Sequence, residues 1–363
     1  ARQRFLATMG FKEIDRPFQW ETLGMWQETL DRWYEEGLSS KYRTEINGDL
    51  GAIQYDEYQR VLVHEFDFDR LDYLRDFVIC GYTDTPYCPA FEYKVIEENN
   101  QTRIIQDTDG IIKKEFIRYE TSSMPQFLQF PVQNKHDFHK VLPRLDPDYP
   151  SRICENWDEV SAFYAERDFP IGLTVCGALG HPRNLLGVEN LCMAYYDQPD
   201  LIEEILEHWV YFYCQVASRV WKSIQFDFIL IWEDMAYKGG SLISPNLVRR
   251  FMLPYYRRLI DHLQNLGCKI IIVDSDGDVT KLVPLFLEAG MNAMLPFEVQ
   301  CGMDIRTFRK EYGKELAIIG GLDKRLLNST NMLLDQELWT KIPYMLEGGG
   351  YIPCLDHSVP PNI

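Results

Sequence analysis

A chain of 363 residues, 46% of them hydrophobic, is long enough to bury one large core or two ordinary ones. Its 55 acidic residues outnumber 37 basic ones, and the formal charge of −18 opposes binding to nucleic acids and to anionic membrane surfaces. No apolar run reaches bilayer length, and nine cysteines without a Cys-x-x-Cys pair suit reduced thiols, so a globular cytoplasmic protein acting on a small molecule is expected.

Residues 2–11 read as a short helix. Residues 17–22 then read as a strand with Glu21 at its exit, followed by an amphipathic helix carrying Trp26, Leu30, Trp33 and Tyr34. From 41 to 89 the pattern is weak, helical at 58–63 and turn-like at 66–70. Residues 90–120 change character: three short β-prone runs are separated by Asn99-Asn100 and Asp109-Gly110, which are strong turn signals, and predict an inserted antiparallel β-hairpin segment.

After Pro150 the chain becomes regular. Short apolar runs at 169–175, 226–232, 269–273, 292–297, 316–320 and 350–354 alternate with helix-length segments such as 199–223 and 245–266. Gly267 and Gly290 stand where helix C-termini favour a left-handed residue. With the strand at 17–22 and one unplaced strand, these runs predict an α/β fold, a (β/α)8 TIM barrel forming a single domain over residues 1–363. A doubly wound open sheet is the structural alternative, but no Gly-x-Gly-x-x-Gly follows the first strand.

In a TIM barrel the chemistry collects where strands end. The most charged such end follows the run 269–273, where Asp274, Asp276 and Asp278 crowd like charge at one strand exit. Asp274 and Asp276 alternate along the chain and can face one mouth, whereas Asp278 reads as a turn or helix cap. The helix after it is expected nearer Pro284. Asp323-Lys324-Arg325 reads as a salt-bridged helix start, and Cys176, Cys301 and Cys354 as small buried hydrophobes. Other strand ends contribute Arg183 with His181, Glu233 with Asp234 and Lys238, Glu298, and Asp356 with His357. Trp26 near Glu21, and Trp232 and Tyr237 near Glu233, suggest an aromatic and acidic box for a methylated ammonium group.

The segment Ser244-Pro-Asn-Leu-Val-Arg-Arg-Phe-Met-Leu-Pro-Tyr255 resembles the proline-flanked helix of the uroporphyrinogen decarboxylase superfamily, which also contains cobalamin-dependent methyltransferases acting on coenzyme M. Val273-Asp-Ser-Asp-Gly277, Gly320-Gly-Leu-Asp-Lys-Arg325 and the stretch from Gly349 to Pro361 resemble bacterial decarboxylase-like proteins of that superfamily. The decarboxylases resemble one another in an Arg-Gln-Ala-Gly-Arg segment after the first strand and in a Phe-Ser-Asp segment. Here the first reads Trp20-Glu-Thr-Leu-Gly-Met25, without arginine, and the second is missing, which disfavours a substrate rich in carboxylates.

The methyltransferases hold zinc with His-x-Cys-Gly and a later Cys. The resemblance lays the first motif on Asp274-Ser275-Asp276-Gly277 and the later Cys on or near Asp356. Carboxylates in place of thiolate ligands favour harder ions. The reading that results is a methyltransferase-like enzyme for a small methylated substrate, linked to a corrinoid supplied by a partner protein. Asp274, Asp276, Glu233 and His357 are its expected catalytic groups. Glu21, Trp26, Arg183, Trp232, Tyr237 and Lys238 line its pocket. Asp274, Asp276, Glu298, Asp356 and His357 are the candidate ligands for a divalent metal, zinc or a harder ion. A decarboxylase or lyase on another small acid, gripped by Lys238 or Arg183, and a barrel that only binds a ligand are the alternatives.

Overall fold

The computed structural model describes residues 1–43, 57–74, 85–117 and 124–362. Its strands in chain order are β1 (Asp72–Leu74), β2 (Lys94–Glu98), β3 (Thr102–Gln106), β4 (Ile112–Phe116), β5 (Gln126–Gln129), β6 (Ile171–Cys176) and β7 (Phe228–Trp232). There follow β8 (Ala236–Tyr237), β9 (Gly240–Ser241), β10 (Ile270–Asp274), β11 (Ala293–Leu295), β12 (Ala317–Ile319) and β13 (Tyr351–Ile352). Seven of these pair in one parallel sheet in the order β1-β6-β7-β10-β11-β12-β13, with helices between most successive strands, as expected of an α/β chain. Each apolar run predicted as a strand after Pro150 is present.

The sheet curls around an interior of its own. Ile270 and Ile272 of β10 pack there with Phe228, Ala293, Leu295, Ala317, Ile319 and Ile352 from four other strands. Ile271 and Val273 point the other way, into a larger core shared with the surrounding helices, because successive strand residues alternate faces.

The strand expected at 17–22 forms no ladder. That stretch is extended, and Phe18 and Trp20 fill the interior beside the strands. Gln19 O accepts from Asp69 N at 3.0 Å, just ahead of β1, and Val359 N donates to Gly24 O at 3.0 Å, just after β13. The segment thus bridges the two edge strands through a few isolated bonds. The unplaced strand of the sequence reading is β1, from the stretch whose pattern was weak.

Residues 245–266 do not form one regular helix. Helix Pro245–Leu247 runs into a π-helical turn at Val248–Met252 before helix Leu253–Asn265. Pro254 removes a backbone donor and crowds the carbonyl four residues back, and a wider turn relieves both. Helix Val283–Ala289 starts beside Pro284, and Gly290 ends it in a left-handed conformation.

The insertion is a four-stranded antiparallel sheet, β2-β3-β4-β5, one strand more than the turn signals predicted. Cys154 is disulfide-bonded, which corrects the expectation of reduced thiols throughout, and seven other cysteines among the described residues are free. No helix among the described residues is long and apolar enough to cross a membrane.

Candidate active site

Strand parity decides what reaches the mouth of the curled sheet. Asp274 continues the inward series of Ile270 and Ile272, and its register partners are Trp232 of β7 on one side and Leu295 of β11 on the other. Beneath that row lies an apolar one of Leu230, Ile272 and Ala293. Asp274 is 9% exposed, and its carboxylate accepts no hydrogen bond among the described residues. Burial first, then the nearby charges of Asp276 and Asp234, hold its pKa well above the usual carboxylate range.

The loops after β7 and β10 are locked together. Glu233 N donates to Asp274 O at 2.9 Å, Met235 N to Ser275 Oγ at 2.9 Å, and Asp278 N to Tyr237 O at 3.1 Å. Gly277 sits at φ +82°, and a Cβ there would lie 2.6 Å from the backbone of Ala236 and Tyr237, so only glycine permits the approach. Asp278 accepts from Thr280 N at 3.0 Å, a turn role as expected.

The two other carboxylates at the mouth each have a cationic neighbour. Asp276 Oδ2 lies 3.4 Å from His357 Nε2. Asp234 Oδ2 lies 3.7 Å from Arg183, whose guanidinium also stacks over Trp232, 4.5 Å from the ring centroid. Burial and Asp276 raise the pKa of Asp234, opposed by Arg183. Asp276 raises that of His357, while Ser358 N, donating to Nδ1 at 2.8 Å, favours the neutral ring. Ser358 Oγ also stands 3.0 Å from Nδ1, so either ring nitrogen can carry the proton of the neutral form.

Asp276, Glu298 and His357 each offer an atom within 4.8 Å of the others, the arrangement among the described residues that best suits an ion. His357 can ligate through Nε2 in the tautomer that donates from Nδ1 to Ser358 Oγ. Glu298 is already engaged, its Oε2 accepting from Gly277 N at 2.8 Å and from Cys301 Sγ at 3.4 Å, its Oε1 from Gln300 Nε2 at 3.0 Å. Of the expected ligand set, Asp276, Glu298 and His357 would hold a metal, while Asp274 and Asp356 stand outside the group.

Several expected residues stand elsewhere. Glu233 is fully buried on the outer face, accepting from Ala178 N, Leu179 N and Gly180 N at 2.7, 2.9 and 3.2 Å and from the Tyr256 hydroxyl. Burial pushes it up to about 7 and these donors pull it down, so its work is to tie two helices to the sheet. Asp356, in the metal set, spends both oxygens on backbone: Oδ2 accepts from Val299 N at 2.9 Å and Oδ1 from Lys324 N at 3.0 Å. Glu21 is buried, one oxygen accepting from Leu355 N at 3.1 Å and the other without a partner. Trp26 caps helix Gln27–Glu35 and donates to Ser358 Oγ at 3.2 Å, next to His357. Tyr237 is exposed, and Lys238 lies near enough to Cys301 to oppose the rise of its thiol pKa. Asp323 caps its helix and pairs with Arg325, as its sequence suggested.

The residue that the roles assigned from sequence left out is Asp234. Counting alternation from Phe228 would have found it, since Trp232 and Asp234 share the parity that Glu233 lacks.

The uroporphyrinogen decarboxylase (URO-D) family model matches residues 117–363. A methyltransferase from Methanosarcina mazei has a similar structure, with a TM-score of 0.59 at 14% identity over 99% of this chain and 93% of that one. A B12-independent methionine synthase from Shewanella sp. W3-18-1 is more distantly similar, at a TM-score of 0.38 and 10% identity over 56% and 60% of the two chains. No curated protein sequence matches. The family match takes in β6 to β13 and with them Asp234, Asp274, Asp276 and His357, and over that length the chain belongs to the uroporphyrinogen decarboxylase family.

Proposed function

We propose that this chain is a methyltransferase that takes a methyl group from a small methylated substrate and passes it to a corrinoid presented by a partner protein. The observation that carries the reading is the charge of the mouth. Asp234, Asp274 and Asp276 gather where a substrate must enter and crowd enough to raise the pKa of Asp234 and Asp274, surroundings that disfavour adding the many carboxylates of a porphyrinogen. The methanogen neighbour, itself a methyltransferase, supports the choice within the family.

Transfer breaks the bond from the methyl carbon to the leaving atom, which keeps both electrons, while the corrinoid as co-substrate supplies the pair for the new bond. The chain's residues place the donor. Asp274 would face it from the floor, with its register neighbours Trp232 and Leu295 on either side. His357 stands 3.4 Å from Asp276 and, when protonated, pairs with that carboxylate. If the leaving atom is an ether oxygen, protonated Asp274 can supply its proton; an onium nitrogen or sulfur leaves neutral without one.

The test mixes the protein with reduced corrinoid protein and a panel of O-, N- and S-methyl donors. The absorbance change of corrinoid methylation is expected with one donor class. Its absence across all classes overturns the proposal.

A second reading has one observation in its favour. Arg183 stands at the mouth with its charge only loosely matched by Asp234, and could grip a small carboxylic acid for decarboxylation. Release of carbon dioxide from such an acid without a corrinoid would favour it.

A further inference from the structure

We infer that the mouth binds a methylated onium cation, a quaternary ammonium or a sulfonium, seated against Asp274 and Trp232. The inference rests on the methyltransferase reading and names its donor class.

The three carboxylates are not equivalent. Asp276 has His357 and Asp234 has Arg183, while Asp274, the most enclosed, has neither a cation nor a hydrogen-bond donor among the described residues. Left alone, such a carboxyl keeps its proton, and a cation seated beside it is what restores the charged form. Its surroundings restrict what can answer. Register puts an indole on one side and a leucine on the other, above a row of Leu230, Ile272 and Ala293.

A hard divalent ion needs six or more oxygens, and the one group of ligand atoms close enough to hold an ion among the described residues leaves Asp274 out. A primary ammonium has three N–H donors that this floor cannot all satisfy. An onium has no donor to satisfy. Its charge is spread over methyl groups, which lie well against Leu295 and the indole, and a carboxylate and an aromatic ring attract it with no strict geometry. Arg183 illustrates the attraction, because its delocalised guanidinium already lies on the Trp232 ring.

The chemistry of transfer agrees with this choice. When the C–N or C–S bond breaks, both electrons stay on the heteroatom and discharge it, giving a neutral amine or thioether. The acceptor named above contributes the pair for the new bond, and the leaving group takes no proton. The floor then loses its counter-charge and takes back its own proton, which favours release of the neutral product. A Lewis acid has no part in activating such a leaving group, consistent with carboxylates standing where the family's methyltransferases hold zinc.

The experiment is calorimetric titration of the full chain with tetramethylammonium chloride, against sodium chloride at matched ionic strength and against the neutral isostere 3,3-dimethylbutan-1-ol. Saturable binding of tetramethylammonium alone is expected. Asp274→Asn should weaken it about tenfold or more, Asp274→Glu should retain part of it, and Trp232→Leu should weaken it several-fold. Circular dichroism checks that each variant is folded. No saturable binding to the unmodified chain, equal binding of the neutral alcohol, or unchanged binding in folded Asp274→Asn overturns the inference. Methyl transfer from O-methyl donors without onium binding sinks the onium site and leaves the methyltransferase reading standing. Onium binding without transfer to any corrinoid does the reverse.

Discussion

His357 shows how one hydrogen bond can separate two chemistries. If its role is to donate from Nε2 to Asp276, glutamine can reproduce the bond and alanine cannot. His357→Ala should therefore raise KM for the methyl donor about tenfold with a smaller change in kcat, and His357→Gln should recover most of that loss. A metal ligand would behave otherwise, since the glutamine amide is a poor replacement for imidazole, and steady-state kinetics of the two variants distinguish the cases. Glu21 carries a prediction of stability. Burial pushes it up from 4.5 to about 8. The folded chain keeps a proton there that the unfolded chain has lost, so this contribution is fully present below about pH 4.5 and is lost as the pH rises toward 8. Urea midpoints at about pH 5 and about pH 8 should differ in that direction, and Glu21→Gln should reduce the difference. An unchanged difference in the variant would remove Glu21 as its source.

At the scale of elements, the site depends on the interlock of the loops after β7 and β10. Gly277→Ala brings a methyl group against Ala236 and Tyr237 and strains a positive φ, so a loss of roughly 2 to 4 kcal/mol is expected in chemical denaturation. Gly267→Ala, at φ +104° with nothing near its Cβ position, lacks the clash and should lose less. The β10 strand was legible because four branched apolar residues in a row have few other uses, and the acidic exit because charge has no place in the run that precedes it. Glu233 was misread for a related reason. It follows an equally clear strand, but being next to the exit does not say which face a side chain takes, and parity turned it toward Ala178, Leu179 and Gly180. Asp356 was placed in the metal set by alignment alone, and alignment does not reveal that two backbone donors from other loops occupy its oxygens.

For the whole molecule, the charge of −18 acts beyond the site. A cationic donor is drawn toward such a surface, and salt screens the attraction. Its KM should rise about threefold or more from about 50 mM to about 500 mM salt, with kcat nearly constant, whereas a neutral methyl donor should show little change. Equal salt response for both donors would argue against electrostatic attraction at the mouth. By itself the sequence determined the α/β alternation after Pro150, the hairpin insertion, the acidic exit at Asp274 and the family resemblance, because hydrophobic period, turn dipeptides and local charge are written in consecutive residues. Only the tertiary structure decided that residues 17–22 bridge the sheet without joining a ladder, and that Asp234 belongs with Asp274 and Asp276. It also decided that Asp274, alone among the three, has no partner among the described residues. Those outcomes depend on register and on donors from segments distant in the chain, and no local pattern encodes which groups will meet.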